Sequence, residues 1–303
     1  MTHPLVTIIA LSYNHAPYIK ESLQSVFDQT YTHWELIILD DASSDESVKV
    51  IHDCIAGRHD IKVIAHKSNH GNCKSFNEAL KHAKGEYVID LALDDVFTKD
   101  RLEKQVKKLE HKGHAYACCF TDATYINQEG KHLHNHYKRD KEGKLLSVVP
   151  KGDVYTDVVS HYFICPTTLM IRKSVLCEIG GYDESLAYED FDLWVRVSRI
   201  YKFAYIDEIL SYKRVLSKSL SVRFKSKQYP EMARSTLKIC RKAAWLNRDE
   251  LEKKALLKRI VYEMREALRI GHKDVVNGYA ELLEEMKAGT TLTWVYKHLN
   301  RVR

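Results

Sequence analysis

Two pairs of adjacent aspartates, Asp40-Asp41 and Asp94-Asp95, each close an apolar run, WELIILDD and YVIDLALDD. A close pair of carboxylates repels itself unless a proton or a cation lies between, and hard divalent cations such as Mg²⁺ or Mn²⁺ take oxygen ligands of this kind. Tyr87, Val88, Ile89, Leu91 and Leu93 give the second run the content of a buried strand, so the charge at its end needs a reason. One reason is a metal-assisted phosphate site. The other is a helix start, with Asp94 or Asp95 capping a helix expected from Lys99 to Lys112. Asp40-Asp41 occupies the same kind of place, where a carboxylate can accept from a nucleobase imide or a ribose hydroxyl. A third acidic pair, Glu189-Asp190, precedes Phe191, Leu193, Trp194, Val195 and Val197, the apolar content of a mostly buried helix. There the carboxylates either favour the helix dipole or carry a general base on a rigid element.

The elements that must position these residues alternate. Leu5 to Ser12 is an almost unbroken apolar strand, and Pro17 opens a helix over about Tyr18 to Gln29. Strands follow at Trp34 to Leu39 and Ile61 to Ala65. A helix with Val48, Ile51 and Ile55 on one face separates them, and another follows the loop HKSNHGN. Strands alternating with helices of ten to fifteen residues predict a parallel sheet with right-handed crossovers, whose ligands collect outside the carboxyl ends of the strands. Beyond residue 112 the alternation loosens: a strand at Ala115 to Phe120, a hairpin over Thr124 to Leu133, a polar loop from His132 to Pro150, and a strand over Phe163 to Ile171 are expected. Gly180 to Glu184 reads as a turn. From about Ser226 three apolar stripes predict helices: Met232, Leu237, Cys240, Ala244; Leu256, Ile260, Met264, Ala267; and Val275, Tyr279, Leu282, Met286.

Several classes are excluded by composition and motif. The 303 residues are 45% hydrophobic and 29% charged, a globular balance, and no run is long and apolar enough to span a membrane. Seven cysteines, odd in number and never spaced as CxxC, point to reduced thiols and offer no zinc site. The absence of GxGxxG and of GxxxxGK[ST] weighs against a dinucleotide fold and a P-loop. Charge is divided: residues 213–303 hold 22 Lys and Arg against 10 Asp and Glu, while residues 1–212 hold 25 against 31. Such asymmetry suggests an anionic partner for the C-terminal part, or solvated helix exteriors. The stretch Leu292 to Arg303 mixes Trp294, Tyr296 and Leu299 with Lys297, Arg301 and Arg303, suited to an anionic membrane, to a partner subunit or to simple packing.

Taken in order, VTIIALSYN, SLQSVFDQTYTHWELIILDDASSDES, NHGNCKSFNEAL, GEYVIDLALDD, IRKSVLCEIGGYDES and EDFDLWVRV resemble a glycosyltransferase of family 2, over roughly residues 4–215. The resemblance implies the GT-A fold: α/β, a Rossmann-like, mostly parallel sheet flanked by helices. It would occupy residues 1–220, followed by a basic helical region over 221–303. It further implies that the backbone near Leu11 and the ring of Tyr13 line a nucleotide pocket, that Asp41 holds the base, most often uracil, and that Asp94 and Asp95 bind ribose-diphosphate and a divalent metal, Mg or Mn. Asp190 matches the catalytic base, with Glu189 beside it as an acceptor contact. Two positions depart from the pattern. Ala92 stands where many members have a further carboxylate, and Lys213-Arg214 stands without the histidine many carry, so one of these cations, or a residue of the tail, is expected at the diphosphate.

The activity implied is inverting transfer of a sugar from a nucleotide-sugar, most often a UDP-sugar, to a hydroxyl of a glycan or lipid-linked acceptor. Bacterial surface polysaccharide or lipopolysaccharide synthesis fits such a reaction. The expected location is cytoplasmic, with peripheral contact at the inner face of the membrane through the basic C-terminal helices; no nucleic-acid module accompanies them. Two rival readings are a nucleotide-sugar-binding protein without turnover and a metal-dependent nucleotidyltransferase.

Overall fold

The computed structural model describes residues 3–216, 224 and 226–287, and the chain divides into two compact units. The first comprises residues 1–153, 164–184 and 200–216, and the second 154–163, 185–199 and 217–303.

In the first unit the expected alternation holds: β1 (Val6–Ser12), α1 (Ile19–Phe27), β2 (Trp34–Asp40), α2 (Ser47–Cys54), β3 (Lys62–Ala65), α3 (Asn72–Leu80) and β4 (Tyr87–Ala92) follow one another. β1 pairs in parallel with β2 and with β4, and β2 with β3. The register sets Ser12 opposite Asp40 and Leu11 opposite Ala92, so the carboxyl ends of three strands lie in one row. Val6, Ile8, Ile38, Ile89 and Leu91 are wholly buried under Ile19, Leu23 and Val26 of α1, which is why these runs carry almost no polar alternation. Gly85 permits the close approach of β4 to β1. A Cβ there would lie 2.5 Å from the Thr7 amide nitrogen and 2.8 Å from the Leu5 carbonyl oxygen.

The sheet then changes character. β5 (Val96–Phe97), α4 (Arg101–Lys112), β6 (Tyr116–Ile126), β7 (His132–Asn135), a 3₁₀ turn (Pro166–Thr168), β8 (Met170–Arg172) and β9 (Lys202–Arg214) complete a nine-stranded sheet in the order β3-β2-β1-β4-β8-β6-β9-β5, with β7 on β6. β8 runs antiparallel to both β4 and β6, whereas β6 and β9 run parallel. The hairpin over 124–133 is present, with Asn127 accepting from Lys131 across its turn. The strand expected over Phe163 to Ile171 is shortened to β8, because Pro166 at the start of a 3₁₀ turn cannot donate to a ladder.

The first turn of α4 corrects one reading of Asp94-Asp95. α4 begins at Arg101 after Asp100, and β5 intervenes, pairing Val96 with Tyr212 of β9. Neither aspartate caps a helix.

The second unit holds α5 (Tyr155–Ser160), α7 (Asp190–Ser198), α8 (Pro230–Leu246), α9 (Glu250–Ile270) and α10 (Lys273–Glu285); α6 (Lys173–Glu178) belongs to the first. Asp249 caps α9 by accepting from the Glu252 amide, and Gly271, at φ 95°, ends it. Leu256, Ile260, Met264 and Ala267 are buried as their spacing predicts. On α8 the buried face is turned toward Ser235, Thr236 and Ile239, leaving Leu237 and Ala244 half-buried. The Ser235 hydroxyl accepts from the Ala187 amide and that of Thr236 pairs with the Tyr188 hydroxyl, partnerships an apolar stripe cannot reveal. The amphipathic stretch Leu292 to Arg303 lies outside the described residues.

Candidate functional site

Asp94 and Asp95 occupy the turn between β4 and β5, and both side chains are buried. Arg214, at the end of β9, holds this turn. Its amide donates to Asp95 Oδ1 at 2.8 Å and its Nε to the Asp94 carbonyl at 3.0 Å. The rest of the guanidinium donates to Glu21 Oε2 and to the carbonyls of Asn127 and Gln128, so Arg214 ties the acidic turn to α1 and to the β6–β7 hairpin. Burial pushes the Asp94 and Asp95 carboxyls up, Asp95 further through the neighbouring charge of Asp94, while Lys213 opposes both shifts. Arg101, wholly buried against the Phe97 ring, faces Asp95 electrostatically from within the fold.

The rim around this turn comes from two loops laced together. Asn14, at φ 58°, donates its amide to Ser43 Oγ and accepts at its side chain from the Ser44 amide. The amides of His15 and Ala16 donate to Ser47 Oγ and Asp45 Oδ2. Asp40 is spent within this loop, accepting from the amide and the hydroxyl of Ser43. Leu11 is buried, with its carbonyl accepting from Leu93, and Tyr13 stands 43% exposed at the rim.

Asp41 is held differently. Oδ1 accepts from His66 Nδ1 and the His70 amide, and Oδ2 from the Gly71 amide, each at 2.8 Å. Burial would raise its carboxyl, but these hydrogen bonds hold it below the usual carboxylate range. A carboxylate offers about four acceptor positions, of which these three donors fill three.

His15 is a rim residue that the motif reading passed over. Its Nε2 lies 3.9 Å from Asp94 Oδ1. Burial lowers its pKa despite the charges of Asp95, Asp45 and Asp40, so the ring is neutral at pH 7. Its Nδ1 and the Ser12 hydroxyl are buried without a hydrogen-bond partner among the described residues. Only the aspartates flanking it in space could have marked His15, and spacing along the chain does not show them. Two buried carboxylates raised by burial, beside a neutral imidazole and an orphaned hydroxyl, fit a hard divalent cation with a polar ligand.

Asp190 opens α7, with Glu189 at the preceding position, and both belong to the second unit. Phe191, Leu193, Trp194, Val195 and Val197 are buried, which fixes the helix in its unit. Asp192, also buried, accepts from Arg196 Nε at 2.7 Å and Lys242 Nζ at 2.6 Å. Arg259 braces the helix from below, its guanidinium 4.5 Å from the Phe191 ring and 4.6 Å from that of Tyr162. The turn that precedes Ser185 in the first unit is pinned by Asn77, which accepts from the Tyr182 amide and donates to its carbonyl. The Tyr182 hydroxyl donates to Asp90 Oδ2 of β4 at 3.0 Å.

A parallel sheet with acidic turns at its carboxyl rim and an antiparallel β8 inserted beyond β4 defines the GT-A class of nucleotide-dependent transferases. Residues 7–180 match the model of glycosyl transferase family 2, and the chain belongs to that family. It is 31% identical over 219 residues to TuaG of Bacillus subtilis, named for a glycosyltransferase of teichuronic acid biosynthesis, covering 72% of this chain and 82% of that one. It is 30% identical to the Rickettsia typhi glycosyltransferase RT0329, covering 70% of this chain and 64% of that one. Among solved structures it is similar to Staphylococcus aureus TarS residues 1–349 with UDP-GlcNAc, at a TM-score of 0.72 and 16% identity, covering 97% of this chain and 88% of that one. It is also similar to the Pyrobaculum calidifontis mannosyltransferase PcManGT with GDP-Man and Mn²⁺, at a TM-score of 0.63 and 17% identity, covering 100% and 81%. The chain is thus a glycosyltransferase, and the readings as a nucleotidyltransferase or a binding protein without turnover fall away.

Proposed function

We propose that this glycosyltransferase moves a sugar, with inversion, from a UDP-sugar to a hydroxyl of a surface-glycan acceptor, with Asp190 as base. The observation that carries the donor half is the buried Asp94-Asp95 turn, locked by Arg214 at the same sheet rim as Asp41. Asp41 Oδ2 would accept the uracil N3–H, and Tyr13 and the Leu11 backbone would flank the base. Asp94 and Asp95 would hold Mg²⁺ or Mn²⁺, which when bound neutralises charge on the departing diphosphate. With the guanidinium of Arg214 occupied by protein acceptors, Lys213 is the cation we assign to the diphosphate.

In the transfer, the Asp190 carboxylate takes the proton of the acceptor hydroxyl, with Glu189 orienting that acceptor. The acceptor oxygen bonds to the anomeric carbon as the carbon–oxygen bond to the diphosphate breaks, and the nucleoside diphosphate leaves with that electron pair. Placing the base at the first residue of a buried helix keeps it fixed during the displacement. A relative named for teichuronic acid biosynthesis supports a cell-envelope acceptor, and the basic charge from residue 213 onward supports peripheral contact with an anionic membrane that carries it.

Asp190→Asn tests the base. The expected result is a loss of about 10²- to 10⁴-fold in kcat, with UDP-sugar affinity unchanged. Turnover within a few-fold of wild type would remove Asp190 from the chemistry, and loss of UDP binding in Asp190→Asn would assign it to the donor instead.

A further inference from the structure

We infer that His66, His70 and Glu78 form a second metal site, for one divalent transition ion of the Zn²⁺ or Co²⁺ type, independent of the Asp94-Asp95 pair. The ligand atoms of the three residues all lie within 4.8 Å of one another. His66 Nε2 and Glu78 Oε2 are 3.0 Å apart, close to the roughly 3.3 Å edge of a tetrahedron with metal–ligand bonds of about 2.0–2.1 Å. The rings of His66 and His70 lie 4.2 Å apart between centroids, tilted by 37°, so a modest rotation of the exposed His70 completes the set. Two imidazoles and one carboxylate suit borderline transition ions better than Mg²⁺ or Ca²⁺.

The arrangement behind these ligands carries the inference further than their proximity. His66 Nδ1 donates to Asp41 Oδ1 at 2.8 Å, which turns Nε2 toward Glu78 and His70. A histidine whose far nitrogen is anchored on a carboxylate is the usual outer support of a metal-binding imidazole. Asp41 is itself fixed by the His70 and Gly71 amides, so the outer support is rigid. Without metal, His66 bridges Asp41 and Glu78, and both carboxylates favour its protonated form. The ion would replace the Nε2 proton, which passes to solvent, and the Nδ1–H bond to Asp41 would stay. Such an ion is structural. It would join the end of β3, the 66–71 loop and α3, and so clamp the loop whose amides orient Asp41.

Zn²⁺ and Co²⁺ titrations of the full chain test this, by calorimetry and by the visible spectrum of tetrahedral Co²⁺. The Asp94→Asn/Asp95→Asn variant should still bind one ion per chain with the Co²⁺ spectrum of wild type. His70→Ala and Glu78→Gln, both at partly or fully exposed side chains, should each weaken that ion at least tenfold. Wild type in excess Mg²⁺ should give the same single Co²⁺ site, which keeps the test decisive if the double variant does not fold. No Co²⁺ bound in excess Mg²⁺, or binding that His70→Ala and Glu78→Gln leave unchanged, would overturn the second site.

Discussion

Asp94 and Asp95 are buried side by side, and the cost has a pH signature. Their folded pKa values are raised, Asp95 to about 6, above the ordinary value near 3.8. Below about pH 4 both states bind these protons and the pair costs nothing. As pH rises through about 6 the folded state must ionise buried, mutually repelling groups, and stability is lost. In EDTA, Asp95→Asn, whose amide oxygen can still accept from the Arg214 amide, is therefore expected to be more stable than wild type above pH 7, by on the order of 1–3 kcal/mol. Below about pH 4 the two should be nearly equal, with the gap opening between about pH 4 and 6. Adding Mn²⁺ at pH 7.5 should raise the wild-type melting temperature and leave Asp95→Asn little changed. A wild-type advantage in EDTA at every pH would mean that Arg101 and Lys213 already neutralise the pair. His15 belongs to the same argument: 3.9 Å from Asp94, with burial favouring its neutral ring, it would pair with the proposed ion or diphosphate. His15→Ala should weaken metal-dependent UDP binding about three- to tenfold by calorimetry and leave the metal-free fold intact. Unchanged UDP affinity would make His15 a packing residue.

At the scale of elements, the close passage of β4 over β1 rests on one position. Gly85→Ala would drive a methyl into the Thr7 amide and the Leu5 carbonyl, neither of which can step aside without breaking the β1 ladder. A loss of about 1–3 kcal/mol is expected in denaturant unfolding, with urea slopes unchanged. A loss under about 0.5 kcal/mol would show that the strands part easily. The β1 to β4 half was legible in the residues because each strand is a nearly continuous apolar run bounded by turn chemistry. β5 and β8, two and three residues long, carry no periodicity and exist only through their partners β9, β4 and β6. The same division holds among the candidate functional residues. Asp41, Asp94 and Asp95 are marked by adjacency and strand ends, and Asp190 by an acidic pair at a helix start. His15, His66 and the clamp at Arg214 depend on contacts up to 193 residues apart along the chain, as between Arg214 and Glu21, and no local pattern encodes them.

Taken as a whole molecule, the chain separates its charges. Residues 213–303 carry 22 basic against 10 acidic side chains, while the part that holds the acidic rim carries 25 against 31. Among the described residues of α8 and α9, Trp245 is 91% exposed and Tyr262 59% exposed, on surfaces otherwise rich in Lys and Arg. An exposed aromatic ring among cations is the combination that rests at a lipid headgroup interface, the rings entering the boundary while the charges meet anionic phosphates. No described helix is long and apolar enough to cross a membrane. The chain is accordingly expected to sediment with vesicles containing anionic lipid and not with purely zwitterionic ones. Binding should fall at least tenfold between roughly 0.1 M and roughly 0.5 M salt, as the Debye length shrinks below the spacing of the charges. Trp245→Ala should weaken it several-fold without altering UDP binding in the presence of Mn²⁺, because the donor rim is built from other residues. Equal binding to zwitterionic vesicles would point to apolar insertion in place of charge, and no binding to either would leave the basic side chains as solvated helix exteriors.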